Sequence, residues 1–220
     1  MSEPRGLTLV LDSAMPHALV ALVEGDTVRV ERALTVPKRH AEELAPAVAD
    51  VLAEVGAHPR DVSTVVVGRG PGSFIGVRIA LAFAQGFCRA RGVPARGFST
   101  LAALACTPDL PIGRGLAVVD ARRGEHYALP VSRGAGGAVL VDGEARALAP
   151  EAVAAHSDDL VFVVGNGLES LSLAPSITVV ERQGVTAAGA LAALAFGDPS
   201  SALPDYLRPP DVRMPSAPTG

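Results

Sequence analysis

Lysine is almost absent from these 220 residues: Lys38 is the only one. A phosphate loop of the Gly-x-x-x-x-Gly-Lys-Ser/Thr kind is excluded, because it ends on a lysine. Tryptophan is missing and aromatics make up 4% of the chain, so the core has to be aliphatic and alanine-rich. Cys88 and Cys106 are the only cysteines, neither in a Cys-x-x-Cys pair, and both have apolar neighbours. They read as buried thiols of a reducing compartment. The histidines, at 17, 40, 58, 126 and 156, never fall three or four apart. No helix therefore offers paired imidazoles, and no metal site is expected. Every apolar run is broken by charge, glycine or proline before it reaches membrane-span length. The first residues lack the basic and apolar regions of an export signal, so a cytoplasmic chain is expected.

Acid is missing locally. No Asp or Glu lies between Asp61 and Asp109, whereas Arg69, Arg78, Arg89, Arg91 and Arg96 all do. The net charge of −4 argues against a protein that coats nucleic acid or a membrane. The local arginine excess leaves two readings open: solvated helix residues, or a surface for an anion or acidic partner.

With 49% hydrophobic residues there is core enough for one large domain or two small ones. The centre of the chain is Gly68-Arg69-Gly70-Pro71-Gly72-Ser73-Phe74-Ile75-Gly76-Val77-Arg78-Ile79. Residues 63–67 predict a buried strand, the glycines a turn needing positive φ, and Ser73 a helix cap. A helix is predicted over 74–91. Ile75, Ile79, Phe83 and Phe87 share one face, and Gly76, Ala80 and Ala84 form a row of very small residues beside them. Such a row gives up burial, which makes sense where another backbone approaches. It is read here as the stripe where a second chain docks.

Before this centre come a strand over 7–11 ending at Asp12, a hairpin over 18–23 and 27–34, and a helix over 40–55 that Pro46 kinks or starts. After it come a strand over 93–97 and a helix over 99–106. A turn-rich break at 107–113 divides a first domain, 1–107, from a second, 108–208, with a proline-rich tail over 209–220. The second domain predicts strands at 115–119 (ending at Asp120), 126–132, 138–141, 160–164 and 177–180, with helices from 150–155 and 186–196. The order βββαβα thus occurs twice, as a duplicated α/β fold with mixed sheets.

Asp12 and Asp120 each close the first strand of a half, where carboxylates can hold a metal-bound nucleotide or simply cap the next turn. The turns at Gly70 and Gly165 can present N–H groups to phosphates. Ser73 lacks a Gly-x-Ser-x-Gly elbow, and Glu125-His126-Tyr127 reads first as a hairpin. No nucleophile, base and electrophile come together, which points to binding or scaffolding.

These residues resemble the bacterial TsaB (YeaZ) family. The central block carries most of the likeness. Leu9-Val10-Leu11-Asp12-Ser13, His40 with Leu44 and Pro46, Phe98-Ser99-Thr100-Leu101, Asp120-Ala121-Arg122-Arg123-Gly124-Glu125 and Pro204-Asp205-Tyr206-Leu207-Arg208 extend it over about 7–208. Departures are Ile75 where threonine is usual, Ala41 where serine often stands, and a degenerate stretch over 133–200. The resemblance implies a two-lobed actin-like ATPase (ASKHA) fold and a non-catalytic partner of the catalytic subunit TsaD. Their complex forms threonylcarbamoyladenosine next to the anticodon of tRNAs reading ANN codons. The small ATPase TsaE joins it, a homodimer is expected when the chain is alone, and tRNA is met through the complex. Pairing is expected at Gly72, Phe74, Gly76, Ile79, Ala80, Phe83, His40 and Leu44. A vestigial nucleotide cleft is expected at Asp12, Gly70, Asp120 and Gly165, with no cofactor of its own and ATP or ADP held weakly or at the complex interface. The competing reading is an actin-like ATPase or kinase; a glycoprotease-like peptidase ranks last.

Overall fold

The structure is a computed structural model that describes residues 6–35, 40–155, 159–200, 202–205 and 207, with the side chains of His40 and Ala41 outside the description. The first sheet is built around β1 (Leu7–Asp12). Antiparallel β2 (Ala18–Glu24) lies on one side, with β3 (Thr27–Leu34) beyond it. Parallel β4 (Val62–Gly68) lies on the other, with β5 (Ala95–Phe98) beyond. The order is β3-β2-β1-β4-β5. β1 and β4 are continuous apolar runs because layers cover both their faces, whereas β3 is wet and lies at the edge. Helix α1 (His40–Glu54) runs through Pro46 instead of starting there, and α2 (Phe74–Arg91) and α3 (Thr100–Ala105) follow.

The second half repeats the plan. β6 (Gly113–Arg122) pairs antiparallel with β7 (Glu125–Arg133) and parallel with β10 (Phe162–Gly165), which pairs parallel with β11 (Thr178–Glu181). The predicted strand over 138–141 is β8 (Val139–Val141), and a second short strand, β9 (Arg146–Leu148), also pairs with β7. The order β11-β10-β6-β7-β8 is that of the first sheet, read from the other end. Helix α4 (Pro150–Ala155) is short, and α5 (Ala187–Ala193) begins at the Thr186 cap but stops before the predicted end.

Side-chain alternation sorts the strands into layers. Leu9, Leu11, Val65 and Val67 face α1 and α2. Val10, Val66 and Phe98 face the other way, joining α3, α5, Ala117, Val119 and Phe162 in one core between the sheets. Leu116, Val118 and Val163 form a smaller core with Val153 of α4. The lobes are bonded as well as packed: His17 N donates to Gln183 O at 2.8 Å, and Ala187 N to Glu31 Oε2 at 2.9 Å. The tail over 209–220 lies outside the described residues.

The orientation of α2 overturns one expectation. Gly76, Ala80 and Ala84 are buried against their own sheet, Ala80 and Ala84 at 0% exposure. A Cβ on Gly76 would lie 1.8 Å from Ser13 O. The backbone that comes close to this row belongs to the same chain, so Gly76 and Ala80 cannot touch a second one. Leu44, 1% exposed, is likewise core. Ala80→Glu should therefore fail to fold, by more than about 4 kcal/mol, because it buries an unpaired charge. Gly76→Ala should cost about 3 kcal/mol by overpacking. Urea unfolding measures both, and a native-like midpoint for either would contradict this packing.

Candidate functional site

The turn after β1 holds three elements together. Asp12 is fully buried: Oδ1 accepts from Ala14 N at 2.9 Å and Oδ2 from Thr100 Oγ1 at 2.8 Å. Ser13 Oγ donates to Gly76 O at 2.7 Å, and Ser73 N donates to Ala14 O at 2.7 Å. Gly72 (φ 158°) is fixed by the same approach, since a Cβ there would lie 2.3 Å from Ala14 O. Ser73 caps α2 by accepting from Gly76 N at 3.2 Å.

This geometry corrects the expected cleft. Asp12 caps its own turn and has no surface to offer a metal-bound nucleotide. Gly70 O accepts from Thr100 N at 2.9 Å, and the Arg69 and Ser73 N–H groups are already donated within the chain. In the second lobe a Cβ on Gly165 would lie 1.6 Å from Val118 O, so that glycine serves strand packing. Asn166 N donates to Val118 O, and the Gly167 N–H serves the Glu181 carboxylate, whose pKa burial chiefly raises, with Glu169 adding to it. The Arg69, Ser73, Asn166 and Gly167 amides of the two turns are thus taken up within the chain. Asp120 alone of the four expected residues opens onto the space between the lobes. Its Oδ1 accepts from Arg122 N at 2.7 Å.

That space is a cavity of about 610 Å³. Met15, Ile75 and Ile79 line it from the first lobe and Asp120, Arg122 and Asn166 from the second. The walls are mainly apolar, with one carboxylate and one guanidinium at the mouth. Among the described residues no group of His, Cys, Asp and Glu is placed to hold a metal ion.

The outer face of α2 is the other candidate surface. Ile75 is 70% exposed, while Phe74, Ile79, Phe83 and Phe87 are half-buried. Arg78 lies over the Phe74 ring at 3.7 Å. Ala82, Gly86 and Ala90 are exposed, and a Cβ on Gly86 would meet nothing. This second small row sits about 120° around the helix from the buried one. On α1, Ala45, Pro46, Ala49 and Ala53 are also exposed. Of the expected pairing residues, Phe74, Ile79 and Phe83 thus reach the surface, Gly72, Gly76, Ala80 and Leu44 turn inward, and the His40 side chain is outside the description. Ile75, read from the sequence as part of the apolar face, and Gly86 are exposed although neither is among the expected pairing residues; an isolated glycine inside a helical pattern is itself a signal. The arginines do not form one patch. Arg69 precedes α2 and Arg78 lies in its second turn, whereas Arg89 and Arg91 are in its last, roughly 16–20 Å beyond Arg78 along the axis.

Two lobes with the same mixed-sheet order, packed around shared helices, define an actin-like ATPase fold. A family model described as "TsaD: tRNA N6-adenosine threonylcarbamoyltransferase" matches residues 34–175. The chain is 39% identical over 121 residues to tRNA threonylcarbamoyladenosine biosynthesis protein TsaB of Escherichia coli, covering 54% of this chain and 52% of that protein. It is 34% identical over 119 residues to TsaB of Bacillus subtilis, with the same coverage. These matches span about half the length of the curated TsaB relatives. An uncharacterized protein of Mycobacterium tuberculosis is 34% identical over 210 residues, 93% of each chain. The structure of YeaZ from Pseudomonas aeruginosa superposes with a TM-score of 0.77 at 30% identity, covering 92% of this chain and all of that one. The chain belongs to the TsaB (YeaZ) family.

Burial raises the Asp12 pKa from 3.8 to about 6, against the lowering effect of its bonds from Thr100 and Ala14. Below the unfolded value both states are protonated and the folded chain is at its best. As pH rises through 6 the folded chain must ionise a sealed carboxyl, and about 3 kcal/mol of stability is lost. Asp12→Asn keeps the acceptor for Ala14 N and cannot ionise. Wild type should lose that amount relative to Asp12→Asn between about pH 4 and pH 7. Parallel urea-unfolding profiles across that range would contradict the burial of this charge.

Proposed function

We propose that this chain is a non-catalytic, activating subunit of a TsaD-containing complex that makes threonylcarbamoyladenosine next to the anticodon of tRNAs reading ANN codons. The reading rests on the family, whose E. coli and B. subtilis members carry that pathway in their names. The observation that carries it is Gly86. A glycine inside a helix costs about 0.5–1 kcal/mol relative to alanine. Here it faces open space amid Ala82, Ala90, Ile79 and Phe83, with no packing reason inside its own chain. A partner helix lying on the outer face of α2 supplies that reason. The same face serves a second copy of this chain when TsaD is absent, and TsaE and tRNA join through the assembled complex.

The inward-turned Asp12 and the Arg69 and Ser73 amides spent within the chain favour this reading over an ATPase or kinase. ATP with magnesium should bind the isolated chain weakly, and at the complex interface if anywhere. Tight calorimetric binding with turnover would replace the subunit reading by the enzyme one. Gly86→Arg should keep or slightly raise the melting temperature, because it replaces a helix glycine, and should abolish co-elution with a TsaD subunit. Ile75→Asp should weaken co-elution at least tenfold, about 1.4 kcal/mol. Unchanged co-elution of both variants on a sizing column would remove α2 from the interface.

A further inference from the structure

We propose that the described residues between Asp198 and Leu207 form a strap latched onto the glycine loop, in which Arg69 and Asp205 are the positioning residues for the start of α2. Only the consequence for partner binding rests on the docking reading above.

After α5 the chain leaves the second lobe and returns to the first. Pro199 O accepts from Gly97 N at 2.9 Å, beside β5. Ala202 packs on the core beneath α1 and α2. Asp205 N then donates to Arg69 O at 2.9 Å, while Arg69 N donates to Phe98 O at 2.9 Å. The backbone of Arg69 is thus shared between β5 and the strap. Its side chain is 11% exposed, with Nη2 3.5 Å from Asp205 Oδ2. Next to this pair, Leu207 of the strap closes with Phe74 and Val77 of α2 and Tyr127 of the second lobe over a gap of about 30 Å³.

The latch is closed but under-satisfied. A guanidinium offers five donors, yet here its carboxylate partner is at the long end of pairing distance and Nε is buried with no acceptor. Burial raises the Asp205 pKa in spite of the nearby cation, as expected of a loose pair. A cation held this way stays inside only while the strap covers it. Local opening of such a segment is cheap compared with global unfolding. Arg69 lies four residues before the Ser73 cap, so the strap bears on the turn that aims Phe74 and Ile75 outward.

Hydrogen exchange of the full chain tests the latch without a partner. Asp205→Ala should speed exchange in peptides spanning 69–77 at least tenfold and leave β6 and β10 unchanged. Arg69→Ala should do the same, and the double variant should add nothing further. Should Arg69→Ala fail to fold, Asp205→Asn, which removes only the charge, replaces it. Unchanged exchange at 69–77, or additive effects in the double variant, would overturn the proposal. Titration with a TsaD subunit supplies the second arm, where Asp205→Ala should bind at least tenfold more weakly. Equal binding despite faster exchange would overturn the positioning role. A wild-type chain that does not bind TsaD would sink the docking reading instead, and the exchange result alone would then decide the latch.

Discussion

The approach of one turn to three glycines sets the rest of the structure. Residues 12–14 come so close to the loop and helix after β4 that side chains have no room. A Cβ on Gly68 would lie 1.8 Å from Asp12 Oδ2, one on Gly72 2.3 Å from Ala14 O, and one on Gly76 1.8 Å from Ser13 O. The last two contacts are backbone on backbone, which is stiff packing, because no flexible chain end can yield. The hydrogen bonds Ser73 N to Ala14 O and Ser13 Oγ to Gly76 O fix the turn along the helix axis. Thr100 bonded to Asp12 ties in α3. From this contact follow the seating of α2, the face it shows to solvent and the sealing of the first-lobe carboxylate.

Seating α2 so deeply has two consequences. Its small row is consumed internally, and its bulkier row is lifted to the rim, where Ile75 stands 70% exposed. Sealing Asp12 removes from the cleft a group that a metal-bound nucleotide would need. The actin-like architecture is thereby kept while its first-lobe carboxylate is put to structural use. An apolar outer face on α2 suits the docking role proposed for this chain.

Much of this was legible in the sequence, and the failures share a cause. The strand over 7–11 announces itself as a continuous apolar run and that over 63–67 as a β-branched one, and Ser73 caps the helix its position foretells. The duplicated order emerges because each half repeats the same succession of apolar runs and turns. Periodicity fixes the angle between the two small rows of α2 but not which one points inward. That depends on Ser13, whose bond to Gly76 spans 63 positions. The fate of Asp12 depends on Thr100, 88 positions away. β8 and β9 are each three residues long and carry too little pattern to separate. The described residues between 198 and 207 have no periodicity, so the return of Pro199, Ala202 and Asp205 to the first lobe is visible only in space.

Actin-like enzymes work by closing their lobes on a ligand, and closure needs a hinge that few contacts cross. Here the hinge region is filled. Val10, Phe98 and Leu101 of the first half and Ala117, Phe162 and Ala187 of the second belong to one core. A Cβ on Gly189 of α5 would lie 2.6 Å from Ala103 O of α3, so the two inner helices meet almost backbone to backbone. Glu31 caps α5 from across the divide, and the strap crosses back over β5. Relative motion of the lobes would have to disturb these contacts together. A body so locked presents a fixed surface, and a fixed surface loses little conformational entropy when a partner docks. Rigidity that would hinder a hinged enzyme is what the proposed subunit role requires.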